Sequence, residues 1–182
     1  MNPGRVISML RKLYIRIRIQ AAAPSARAAL YARYYGMEFG ENVRITGIIS
    51  PGSEPYLIRV GDNVTITEGV VFHTHDGGAW VLRERHPGLN IYRRVLVGSN
   101  VFIGYRAQIM PGVTVGDNVV IAAGSVVTRD IPDNSVVGGV PAEVIKSLES
   151  YEAKVLEEGI CLSEKDPELR KRAILEALDE KG

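Results

Sequence analysis

The sequence predicts an all-β solenoid, in which short strands joined by tight turns stack along one axis, with helical segments at both ends. Three observations predict it. From Val97, steps of six residues land on Ile103, Ile109, Val115, Ile121 and Val127, every one β-branched. Small residues stand beside that column: glycine follows the aliphatic in "VGSNVF", "IGYRAQ" and "VGDNVV", and Ala122 and Thr128 keep the next position small. The beat returns upstream at Val60, Ile66 and Phe72, where "VGDNVT" nearly duplicates "VGDNVV", and earlier still at Phe39 and Ile45. A period of six fits neither a helix face nor one long strand, but it fits short strands stacked as coils. Each aliphatic then enters a shared interior column. Glycine and Asp-Asn pairs supply the corners, where positive φ and local side-chain hydrogen bonds are needed. A β-sandwich would instead space its turn signals by about 8 to 12 residues.

The elements follow in chain order. Residues 1–37 form a helical segment, with apolar Met9, Leu10, Leu13, Tyr14 and Ile17 at three-and-four spacing and an alanine-rich stretch after Pro24. Up to Gln20 it carries Arg5, Arg11, Lys12, Arg16 and Arg18 and no acid. Such a helix either lies on an anionic membrane surface, as a peripheral contact, or packs on the solenoid's base or on a partner subunit. Residues 38–141 form the solenoid. Phe72 to Val97 is 25 residues, not a multiple of six, so a loop near 76–96 is inserted, containing "DGGAWVLRERHPGLNIYRR". Residues 142–182 turn charged and leucine-spaced and read as a helical tail that caps the last open coil.

Composition sets outer bounds. A chain of 182 residues holds one domain with a sizeable core and a small appended element. A formal net charge of +1 offers no bulk attraction for nucleic acid. The single cysteine, Cys161, excludes an intrachain disulfide framework and a cysteine-rich metal site, and suits a reducing cytoplasm. No apolar run reaches the roughly 18 residues of a membrane span.

The run "VGSNVFIGYRAQIMPGVTVGDNVVIAAGSVVTRDIPDNSVVGGVPAEVIK" closely resembles the hexapeptide-repeat acyltransferases. "SEPYLIRVGDNVTI" followed by "THDGGAW" is most similar to bacterial capsule and exopolysaccharide O-acetyltransferases, relatives of the galactoside, maltose and nodulation-factor enzymes. The resemblance implies a left-handed parallel β-helix, a handedness that period six alone does not reveal, and a homotrimer. It implies acetyl-CoA as acyl donor, no metal, and a saccharide acceptor. A histidine near the start of the inserted loop then acts as general base on a hydroxyl that attacks the thioester directly.

Several site residues are carried over from that resemblance. Position in "THD" favours His75 as the base over His73, since both face outward if Phe72 faces the core. Asp76 either orients the imidazole or simply starts a turn before Gly77 and Gly78. Tyr105, after Gly104, stands where a backbone N–H faces the thioester oxygen in relatives. Ala123, Thr128 and Arg129 match the element that lines the pantetheine arm and meets the nucleotide phosphates, with tight packing as the other reading of Ala123 and Ser125. Glu143 replaces a basic residue common in relatives, while Lys146 keeps a later basic position. Glu54 is a candidate for holding acceptor hydroxyls. Trp80 either walls the site and stacks on a sugar ring or packs on a neighbouring coil. Arg83 and the loop's Arg85, Arg93 and Arg94 either hold anionic groups or face solvent.

Two other readings compete with sugar acetylation. A γ-type carbonic anhydrase would need about three well-placed zinc ligands, and the chain's histidines are His73, His75 and His86, two of them too close together. A non-catalytic glycan-binding scaffold would leave "THD" and "AAGSVVTRDIP" without a purpose.

Overall fold

A computed structural model describes residues 3–179. Two helices come first, α1 (Pro3–Ala21) and α2 (Pro24–Tyr35), the second with Pro24 at its first turn and Gly36 in the left-handed region at its end. The strands that follow are short: β1 (Glu38–Phe39), β2 (Arg44–Ile45), β3 (Ile58–Val60), β4 (Thr65–Ile66), β5 (Val71–Phe72), β6 (Val95–Val97), β7 (Val101–Ile103), β8 (Gln108–Ile109), β9 (Thr114–Val115), β10 (Val119–Ile121), β11 (Val126–Val127), β12 (Ser135–Gly139) and β13 (Ala142–Ser147). They make three sheets, ordered β1-β3-β6-β9, β13-β12-β10-β7-β4-β2 and β11-β8-β5, parallel throughout except for β12 with β13.

The chain visits the three sheets in the same cyclic order from β3 to β11. Aligned partners are 18 residues apart in β7 and β10 (Val101↔Val119), three steps of the six-residue beat. The predicted column is the core. Val97, Ile103, Ile109, Val115, Ile121 and Val127 are all buried, as are Val60, Ile66 and Phe72 upstream and Ile45 at the start. Each buried aliphatic of this size contributes roughly 1.5–3 kcal/mol. At the corner before the second sheet, Asn42, Asn63, Asn100, Asn118 and Asn134 all take positive φ. Their amides stack into ladders, with Nδ2 of Asn100 donating to Oδ1 of Asn118 at 2.8 Å and Nδ2 of Asn118 to Oδ1 of Asn134 at 3.0 Å. The repeated Asp-Asn pairs are therefore corner residues, as expected.

Departures from the beat fall at one corner, between the third sheet and the first. The offset is 37 rather than 18 between β3 and β6 (Ile58↔Val95), so this corner holds 19 extra residues, 76–94. It is 21 between β1 and β3 (Glu38↔Arg59), so three extra residues lie between Ser50 and Ile58 in the preceding circuit. The insertion is two residues shorter than expected at its far end, because Val95 and Leu96 already belong to β6.

Both ends of the stack are covered within residues 3–148. At the start, Tyr31 of α2 is buried against Ile49, its hydroxyl donating to the Ile49 carbonyl and accepting from the Ile49 N–H. Arg27 donates to the Ile45 carbonyl on the outer strand β2, and to the carbonyls of Ile19 and Gln20 at the end of α1. At the other end β13 lies antiparallel on β12. This corrects the helical expectation for residues 142–147: the open edge of β12 needs a hydrogen-bonded partner, and the β-branched pair Val144–Ile145 suits a strand. The tail is helical only from Leu148, as α3 (Leu148–Glu158) and α4 (Pro167–Asp179). Residues from Glu149 onward form a unit of their own. Within it Asp166 caps α4 by accepting from the N–H groups of Glu168 and Leu169.

The predicted apolar face of α1 does not meet the base of the stack. Ile15 and Ile19 are the helix's buried positions, whereas Met9, Leu10, Leu13, Tyr14 and Ile17 are each more than half exposed. The packing alternative for that face is therefore corrected for the single chain. Among the described residues no helix is long and apolar enough to cross a membrane.

Candidate active site

The alternation that sends Phe72 and Thr74 inward sends His73 and His75 outward, and it places both histidines on one groove. The groove has a volume of about 460 Å³, and Asp76, Ile91, Arg93, Met110 and Pro111 also line it. The inserted loop is zipped at its root: His75 bridges Tyr92 antiparallel, Asp76 N–H donates to the Ile91 carbonyl at 3.0 Å, and Arg93 N–H donates to the Thr74 carbonyl at 2.8 Å. His75 is thus held at the loop's base, on a rigid edge.

The two histidines have different surroundings. His73 Nε2 meets Oε1 of Gln108 at 3.2 Å, across the third sheet. His75 Nδ1 lies 2.8 Å from Ser53 Oγ and 3.4 Å from Glu54 Oε2. Ser53 Oγ donates its own proton to Glu54 Oε2 at 2.5 Å, and buried Thr74 donates to the same oxygen at 3.1 Å. With its proton committed to Glu54, Ser53 meets the imidazole as an acceptor. In that arrangement the tautomer with its hydrogen on Nδ1 completes the bond to Ser53 and has its lone pair on Nε2. The imidazole is 45% exposed and the Glu54 carboxylate 18%, so the acid is the more buried of the two.

Other candidates divide between this groove and elsewhere. Glu54 is at the site, 3.4 Å from His75 Nδ1 and accepting from Thr74. Asp76 takes the turn reading, since its Oδ1 accepts from Gly78 N–H at 2.8 Å and starts the 3-10 turn Gly77–Leu82. Arg83 is committed to the loop, donating to the Leu89 carbonyl and to Asn90 Oδ1, with its guanidinium over the Trp80 ring. Trp80 is exposed, so the expectation that it packs on a neighbouring coil is not met in the single chain. Arg93 alone of the loop arginines lines the groove.

Gly104, Tyr105 and Ala123 cluster at the corner between the second and third sheets. Gly104 N–H donates to the Ile121 carbonyl, and a Cβ there would stand 2.5 Å from the Ala123 nitrogen, so this glycine allows two circuits to touch. Among the described residues no acceptor meets the Tyr105 N–H. Ser125 is fully buried, its hydroxyl donating to the Ala122 carbonyl, which is the packing reading. Ala123, Thr128 and Arg129 are exposed. Arg129 Nη1 is 3.7 Å from Glu143 Oε1, and Lys146 lies on β13 opposite Val136. Tyr105 and His75 stand at opposite ends of the third sheet's strands: the register Phe72↔Ile109 sets His75 opposite residue 112, seven positions beyond Tyr105. Among the described residues no three of His, Cys, Asp and Glu come together as a ligand set.

Ser53, and the part Thr74 plays with Glu54, escaped the sequence reading. A signal existed: Ile45 to Val60 is 15 residues, three beyond two steps of six, which marks a widened corner one circuit before His75.

Comparison with known proteins agrees with this architecture. Residues 94–129 match the family model described as bacterial transferase hexapeptide (six repeats). Protein CapG of Staphylococcus aureus is 52% identical over 127 residues, covering 69% of this chain and 74% of its own length. Galactoside O-acetyltransferase of Escherichia coli (strain K12) is 39% identical over 116 residues, covering 63% of this chain and 54% of that protein, about half its length. A hexapeptide-repeat acetyltransferase of Vibrio cholerae, solved in complex with acetyl coenzyme A, superimposes with a TM-score of 0.56 at 28% identity, covering 74% of this chain and 84% of that one. Stacked six-residue beats, a histidine at the root of the inserted loop and relatedness over most of CapG lead to one assignment: the chain belongs to the bacterial hexapeptide transferases and is an acyltransferase.

Proposed function

We propose that the protein transfers the acetyl group of acetyl-CoA to a sugar hydroxyl, with His75 as general base. The observation that carries this reading is the fixed imidazole: Ser53 and Glu54 occupy its Nδ1 side, leaving Nε2 for the groove. The acceptor hydroxyl gives its proton to Nε2 as its oxygen attacks the thioester carbonyl. The tetrahedral oxyanion is met by the Tyr105 N–H, and collapse breaks the C–S bond, the imidazolium returning the proton to the departing thiolate. Ala123, Thr128, Arg129 and Lys146 would hold the coenzyme, with Glu143 sharing the Arg129 cation. The galactoside O-acetyltransferase relative and the acetyl coenzyme A complex of the Vibrio protein support the acceptor and donor classes.

On this reading the three parallel sheets are the faces of a left-handed β-helix. Tyr105 and His75 stand too far apart in one chain to share a substrate, so the site forms between subunits of a homotrimer, with His75 of one facing Tyr105 of the next. The reaction is cytoplasmic, where acetyl-CoA is available. Free-thiol release measured over a panel of sugars and amines, with wild type and His75→Asn, tests the proposal. Turnover with a sugar that falls by about 10² or more in the variant is expected. Equal turnover by both proteins would remove the base.

A further inference from the structure

Helix α1 presents two unequal faces. Ile15 and Ile19 are buried, and Arg27 holds the carbonyls of Ile19 and Gln20, so the helix is fastened at its C-terminal end. At about 100° per residue, the exposed Met9, Leu10, Leu13, Tyr14 and Ile17 gather in a broad apolar arc centred roughly 200° from Ile15, on the far side of the helix. Cations border this arc on both sides. Arg5, Lys12 and Arg16 flank one edge, while Arg11 and Arg18 flank the other, and Arg18 Nη1 donates to Tyr14 Oη at 3.1 Å. Residues 1–20 contain no acid.

We propose that this face of α1 docks on an anionic lipid surface, lying in the plane of the headgroups with the apolar arc inserted and the flanking cations on lipid phosphates. The charge pattern selects the occupant. An apolar arc alone would suit any greasy partner, but cations along both borders fit a plane of negative charge, in which long basic side chains reach headgroups while the arc is buried. A second α1 would set like charge against like along both borders. The proposal is independent of acetyl transfer: it concerns where the protein sits and not what it catalyses.

Co-sedimentation of the full chain with vesicles of phosphatidylcholine alone, and of phosphatidylcholine with about 30% phosphatidylglycerol, tests it. Binding to the anionic vesicles should exceed binding to the neutral ones by about tenfold, and about 0.5 M salt should remove most of the difference. Leu10→Asp with Leu13→Asp, at exposed positions, should abolish binding while leaving thiol release on a soluble sugar unchanged. Arg11→Gln with Arg18→Gln, which keeps the apolar arc, should lose the preference for anionic vesicles. Absence of binding to anionic vesicles, undiminished binding by the Leu10/Leu13 variant, or a fall in oligomer mass of that variant by light scattering would each overturn the proposal, the last by assigning the face to a second copy.

Discussion

His75 Nδ1 and Ser53 Oγ stand 2.8 Å apart although 22 residues separate them in the chain. Consecutive circuits bring them together, and the three-residue widening after Ser50 lets Ser53 and Glu54 reach over the next corner. If Glu54 fixes the imidazole tautomer through Ser53, then Glu54→Gln and Ser53→Ala should lower kcat by roughly one order of magnitude with little change in KM. Both losses should be smaller than the ~10²–10⁴ expected on removing the base itself. An effect confined to KM would return Glu54 to the acceptor.

Tyr31 should matter to folding and not to chemistry. Its buried hydroxyl satisfies both the N–H and the carbonyl of Ile49, so Tyr31→Phe leaves two backbone groups without their partner. Chemical denaturation should show a loss of about 1–3 kcal/mol. Burial pushes the Tyr31 hydroxyl above its ordinary value, partly offset by the Ile49 hydrogen bond. Because the folded pKa is raised, stability from this group is full below the unfolded value near 10 and is lost as pH climbs through the folded value. Wild type should therefore lose more stability than Tyr31→Phe as pH rises above about 10.

The interior column was legible because burial demands β-branched side chains at every sixth position, and nothing on the surface obscures that count. The loop was legible for the same reason, through its surplus over the beat. What stayed hidden depends on contacts between circuits. "GSEP" looks like an ordinary turn until the next circuit sets His75 beside it. Arg83 looks like a free cation until the loop folds back on Leu89 and Asn90. On α1, periodicity identifies the apolar residues but not which of them dock, and the narrow pair Ile15 and Ile19 meets the rest of the fold while the broad arc does not. Residues 142–147 pair as a strand because β12 offers an open edge, which their local charge pattern does not announce.

Two glycines at the same corner of consecutive circuits should respond differently to alanine. A Cβ at Gly104 would stand 2.5 Å from the Ala123 nitrogen and 2.6 Å from the Ile121 carbonyl oxygen, both backbone atoms that cannot give way. Gly104→Ala should cost about 3 kcal/mol or more, the upper end for an overpacked interior. Gly124 has φ of +71°, and a Cβ added there would find nothing within 4 Å, so Gly124→Ala should cost only about 1 kcal/mol. Thermal denaturation of the two variants side by side distinguishes steric from conformational cost.

Excision of residues 76–94 should separate scaffold from site. Removing these 19 residues turns the 37-residue offset of β3 with β6 into the 18 of β7 with β10, so the stack can close with its register intact. Circular dichroism should show a folded β protein with a cooperative melt. His75 would remain, but Asp76, Ile91 and Arg93 would leave the groove, and with them the Arg93 bond to Thr74 and the Tyr92 bridge to His75 at the loop's root. Thiol release should then fall to the level of the His75→Asn variant. If turnover survived excision, the loop would be a surface ornament and the groove beside His75 would not be where the acceptor sits.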